Sequence, residues 1–196
     1  LDPFRGPGKA IGAKATTSSR WHDVRDELGT GIAHLENACR LFDAFGMDGE
    51  DLRAYANRMA LMHAMQAGYT SIETGLDRVL HLLGEERPQG PDRHKALLRR
   101  LASQLPEDRP AVISFELYRK LDDLRRFRHV AARPYDTFEP GQARPAVEAA
   151  RYVVANLMPA IDAFRLPDCR CWAATGEGGR PECADPRSDC LHSVLG

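Results

Sequence analysis

Residues 52–83 read LRAYANRMALMHAMQAGYTSIETGLDRVLHLL, and within them Leu52, Tyr55, Met59, Met62, Met65, Tyr69, Ile72, Leu76, Val79 and Leu83 recur every third or fourth position. That period is the mark of one apolar helix face. A helix of this extent reaches roughly 50 Å at about 1.5 Å of rise per residue, long enough to be the spine of a helical bundle. Gly68 and Gly75 interrupt it on one side. There the missing side chains would admit a second helix at close range or allow a bend.

Working outward, "GMDGED" separates this run from an earlier one in which Trp21, Val24, Leu28, Ile32, Leu35, Cys39 and Phe42 share a face. Residues 1–20 are rich in Gly, Ser, Thr and Lys with Asp2 as their acid, which predicts a flexible arm. On the other side "GEERPQGP" is a stop, residues 92–105 form a shorter amphipathic helix, and "PEDRPAV" is a turn. Ser114 then reads as the N-cap of a helix whose face continues through Leu117, Leu121 and Leu124, and which should end before Pro134. Val147, Ala150, Val154, Leu157, Ile161 and Phe164 make the last inner face, with Pro159 predicting a kink. Strand-like alternation is absent. The expectation is an all-α, antiparallel bundle of about five helices spanning residues 21–166, followed by a disordered Cys-containing tail over 167–196.

The 196 residues carry a formal charge of -1, which excludes a globally basic nucleic-acid coat; an anion site has to be a local cluster. Five cysteines, with Cys39 alone in a helix and Cys169, Cys171, Cys183 and Cys190 in the tail, do not read as a disulfide framework. The tail cysteines with His192 are enough ligands for zinc, yet their spacing fits no standard knuckle, so free thiols and no metal are expected. No apolar run approaches the ~18 residues of a membrane span, and the start lacks the apolar middle of a signal peptide. A cytoplasmic protein with no membrane association is therefore expected. No Gly-rich phosphate loop or HExxH occurs, so no cofactor is assigned. His63 and His94 stand singly, with no Cys or acid at ligand spacing, and receive no chemistry.

The stretch LDDLRRFRHVAARPYD, residues 121–136, carries the chemistry. Arg128 continues the apolar register of Leu117, Leu121 and Leu124, so a permanently charged guanidinium faces inward and needs an anion or a polar cavity. Asp122 is spaced to pair with Arg125 and Arg126, whereas Arg128 has no acid within one turn. Two partners are open to it: Glu73 on the long helix, as a structural ion pair, or an external phosphate.

This region, with GPDRHKALLRRLA and RPAVIS before it, resembles the HepT-like family of HEPN domains, a likeness extending from about Trp21 to Leu166. Such proteins are all-α, dimeric ribonucleases, many of them toxins paired with a minimal nucleotidyltransferase antitoxin. The family pattern is Arg, four residues, His, one residue, Tyr. Here Arg128 and Tyr135 match in place, while Arg133 stands where the histidine belongs. The resemblance implies metal-independent cleavage of RNA by 2′-hydroxyl attack, leaving a cyclic phosphate end, and a homodimer. It implies Arg128 as the catalytic cation, with Arg125 and Arg133 holding substrate and Tyr135 as the residue to which the partner attaches AMP. Arg133 is a poor proton acceptor, so His129 is the expected replacement base, provided the last helical turn unwinds or a second subunit brings the groups together. A non-catalytic module that binds RNA or a nucleotidyltransferase, and a plain scaffold with Arg128 paired to Glu73, are the alternatives.

Overall fold

The computed structural model describes residues 17–45, 49–105, 109–131 and 140–165. It comprises helices α1 (Thr17–Ala44), α2 (Leu52–Leu82), α3 (Arg93–Ala102), α4 (Phe115–Ala131) and α5 (Pro140–Arg165), and no strands among these residues. The expected all-α bundle is the fold. None of these helices is long and apolar enough to cross a membrane.

The glycines of the spine have a definite use. A Cβ on Gly68 would lie 2.7 Å from Leu35 Cδ2, and one on Gly75 would lie 2.6 Å from Leu28 Cδ2. On α1, a Cβ on Gly31 would meet the Gly68 carbonyl oxygen at 2.8 Å. Leu28 thus sits beside Gly75 and Leu35 beside Gly68, which sets α1 antiparallel to α2 and lets the two backbones approach where side chains are missing. Of the two uses open to these glycines, close approach is the one observed, and the approaching helix belongs to the same chain. Arg25 bonds Asp162 and Arg151 bonds Asp43, so α5 also runs antiparallel to α1.

Several boundaries and faces differ from expectation. The first helix starts at Thr17 rather than Trp21, taking in Thr17, Ser18 and Ser19, residue types common at helix starts. Residues 1–16 of the expected arm, and the whole expected tail, lie outside the described residues. Helix α3 ends at Ala102, because Ser103 turns extended (φ -88, ψ 134) and Leu105 instead exchanges backbone hydrogen bonds with Arg109. In the first turn of α2 it is Ala54 that is buried, while Leu52 is 81 % exposed. Further along, Leu61 and Leu80 are buried although they lie off the expected stripe, because α2 is covered by α1 on one side and by α3 and α4 on another. A helix enclosed this way buries a wider arc than one apolar stripe.

The turn after α2 positions everything that follows. Gly84 adopts φ +71, and the chain closes the helix with Gly84 N–H to His81 O (3.2 Å) and Glu85 N–H to Leu80 O (3.1 Å). This paired arrangement satisfies the last carbonyls and requires a left-handed residue, which glycine supplies without strain. It delivers Glu85 to Arg109, a buried residue whose Nε donates to Glu85 Oε1 at 2.5 Å. The same guanidinium donates to the carbonyls of Arg100, Ser103 and Pro110 at 3.0, 3.1 and 3.0 Å. Arg100 bonds the other oxygen of Glu85. Arg109 therefore ties the end of α3 to the end of α2 and fixes how α3 lies against the spine.

Candidate functional site

Ser114 Oγ accepts the Leu117 N–H at 3.1 Å and so caps the α4 start, as the sequence predicts. From there Leu117, Leu121 and Leu124 enter the core, and Arg128 follows them in register. The side chain of Arg128 is neither sealed nor free, at 23 % exposure.

Three groups from two other helices surround it. Arg128 Nη1 lies 3.4 Å from Glu73 Oε2, Nη2 lies 3.4 Å from His94 Nε2, and the guanidinium carbon sits 5.8 Å from the centre of the Tyr69 ring. Glu73 is itself shared. Its Oε1 bonds His94 Nδ1 and accepts the Tyr69 hydroxyl at 3.4 Å. Burial pushes the Tyr69 phenol well above its ordinary range, and the Glu73 carboxylate pushes it further, so it stays a neutral donor.

The inward-facing arginine thus has a carboxylate beside it, the structural partner named from the sequence. The contact is nevertheless loose. Charge-assisted N–H···O bonds settle near 2.7–2.9 Å, and the neighbouring arginines do so: Arg125 Nε meets Asp122 Oδ1 at 2.7 Å and Arg126 Nη2 meets Asp122 Oδ2 at 2.8 Å. Burial raises the Asp122 carboxyl, but the hydrogen bonds and charges of those two arginines outweigh it and hold the group below its usual value. Arg125, expected to hold substrate, is therefore already joined to an acid. His129 follows Arg128 directly within α4, which stays helical through Ala131. Arg133 and Tyr135 lie outside the described residues.

The histidine that meets Arg128 is His94, to which the sequence reading gave no role. Its acid, Glu73, is 21 residues away in the chain and on a different helix. The reversal at Gly84 and the Arg109 latch bring the two together, so no spacing rule within one helix would find the pair. Beside them opens a cleft of ≈ 410 Å³ lined by Thr74, Asp77, Arg87, Gln89, Arg93 and His94, in which Arg87 is bonded to Asp77 at 3.0 Å.

These elements, α2 from its middle through α5, define a helical domain with a half-buried Arg–His–carboxylate cluster at the junction of α2, α3 and α4. The chain belongs to the HepT-like family: the family model described as HepT-like protein matches residues 60–166, a span that contains Tyr69, Glu73, His94 and Arg128. No curated protein and no solved structure matches it.

Proposed function

We propose that the chain is a metal-independent endoribonuclease of the HEPN type, acting as the toxin of a pair with a minimal nucleotidyltransferase. The observation that carries this reading is the looseness of Arg128. A guanidinium has five N–H donors, and the contacts of this one to Glu73 and His94 are both long, at 3.4 Å, while part of it stays exposed. A phosphate arriving at that face could take two donors at once, which a guanidinium offers in a planar fork.

In the reaction the ribose 2′-oxygen forms a bond to the adjacent phosphorus and the bond to the 5′-oxygen breaks. The product ends are a cyclic phosphate and a 5′-hydroxyl. Negative charge grows on the phosphorane oxygens, and Arg128 would stabilise it there. Arg133 adds positive charge and Tyr135 is the AMP acceptor in this reading; both enter it from the motif alone. Homodimerisation and the antitoxin partner rest on family resemblance, and the cytoplasmic setting rests on the sequence alone.

A second reading is favoured by the Glu73 contact itself. There Arg128 joins α2 to α4 and the domain is a scaffold or a non-catalytic binding module. Incubating the purified chain with RNA in EDTA separates these. Fragments with cyclic phosphate ends support the nuclease, RNA retained uncut supports the binding module, and neither result leaves the scaffold.

A further inference from the structure

We infer that His94 is the proton acceptor for the attacking 2′-hydroxyl, with Glu73 as its positioning residue. This rests on the ribonuclease reading above and supplies the base that reading lacks.

A carboxylate only accepts, so the ring nitrogen facing Glu73, Nδ1, carries the proton. A guanidinium only donates, so the nitrogen facing Arg128, Nε2, carries the lone pair. Both neighbours therefore select the same neutral tautomer, in which the acceptor nitrogen points at the cation that would hold the phosphate. Fixing one ring nitrogen to set the chemistry of the other is the common use of a carboxylate behind a histidine.

Position agrees. His94 Nε2 and Arg128 Nη2 are 3.4 Å apart, so a phosphate on Arg128 has its flanking ribose within reach of that nitrogen. His94 keeps 22 % of its side chain exposed and lines the cleft beside α2, so substrate can approach it. Among the described residues the charged groups bonded to His94 are Glu73 from α2 and Arg128 from α4, and Asp77, Arg87 and Arg93 line the same cleft.

As the O2′–P bond forms, Nε2 takes the 2′-hydroxyl proton, and Glu73 stabilises the resulting imidazolium. The P–O5′ bond breaks, the departing 5′-oxygen takes a proton from water, and the imidazolium returns its proton to solvent. No oxidant, metal or second substrate enters the balance.

The test uses the full chain and an RNA oligonucleotide in EDTA, with single-turnover rates for wild type, His94→Ala, His94→Asn and Glu73→Gln. His94→Asn places an amide N–H where Nδ1 donates, keeping the Glu73 bond while removing the acceptor. Both His94 variants are expected to cut at least about 10²-fold more slowly. Added imidazole should restore part of the His94→Ala rate, a recovery that a merely structural histidine would not give. Glu73→Gln should lower the saturating single-turnover rate with the half-saturating concentration little changed. A wild type that cuts while folded His94→Asn cuts within a few-fold of it overturns the assignment and leaves the nuclease standing. A wild type that leaves RNA intact removes both.

Discussion

Glu73 on α2 and Arg128 on α4 face each other at 3.4 Å, farther apart than the Arg125–Asp122 pair at 2.7 Å one turn earlier on α4. A short bond would make Arg128 a structural cation. A long one, shared with His94, leaves donors for an incoming anion. The two pairs therefore predict opposite responses to substitution, since the Asp122 pairs are closed and the Glu73 pair is open.

Asp122 and Glu85 should set the acid limb of stability. Burial raises both carboxyls, but Arg125 and Arg126 for Asp122, and Arg109 and Arg100 for Glu85, outweigh it, so each lies below its ordinary value of 3.8 or 4.5. Groups depressed in the folded state stabilise it fully above those ordinary values and lose the contribution as pH falls through the lower folded ones. Melting temperature should hold steady from about pH 6 to about pH 5 and fall steeply toward about pH 2. Asp122→Asn should flatten part of that fall; an unchanged acid limb would remove Asp122 from the account.

Arg109→Ala should be the most costly single change outside the apolar core. It strips the half-buried Glu85 of one partner and frees the carbonyls of Arg100, Ser103 and Pro110. Breaking a buried pair from one side costs about 3–5 kcal/mol, and the low end applies because Glu85 is only half-buried and keeps Arg100. Urea unfolding measures it. A loss below about 1 kcal/mol would mean that the latch does not hold α3.

Two glycines on α1 should respond in opposite directions. Gly29 has no heavy atom within 4 Å of a would-be Cβ, so Gly29→Ala removes only the helix cost of glycine and stabilises by about 0.5–1 kcal/mol. Gly31→Ala sets a methyl 2.8 Å from the Gly68 carbonyl oxygen, and backbone cannot yield as a side chain does. It should destabilise by about 1–3 kcal/mol. Equal effects in urea titrations would mean that α1 and α2 are not held at this spacing.

Much of the architecture is legible in periodicity, because each helix pays out its apolar residues at a step that a single sequence displays. The step shows one stripe, so Leu61 and Leu80, buried under further helices, are invisible to it, and Leu52 is counted although it is 81 % exposed. The site was half legible. Arg128 stands out as a charge in an apolar register, and Asp122 pairs with its neighbours as helix spacing dictates. His94 could not be found that way, because its acid is a helix away and only the Gly84 reversal and the Arg109 latch align them. A lone histidine in a short helix reads the same whether or not a carboxylate waits across the bundle.

The most direct measurement is cleavage of an RNA oligonucleotide in EDTA by the wild-type chain and by Arg128→Ala, with product ends identified by mass. The account predicts 2′,3′-cyclic phosphate ends from the wild type and a rate about 10²–10³-fold lower in the variant. Intact RNA with the wild type, or equal cutting by a folded Arg128→Ala, would contradict it.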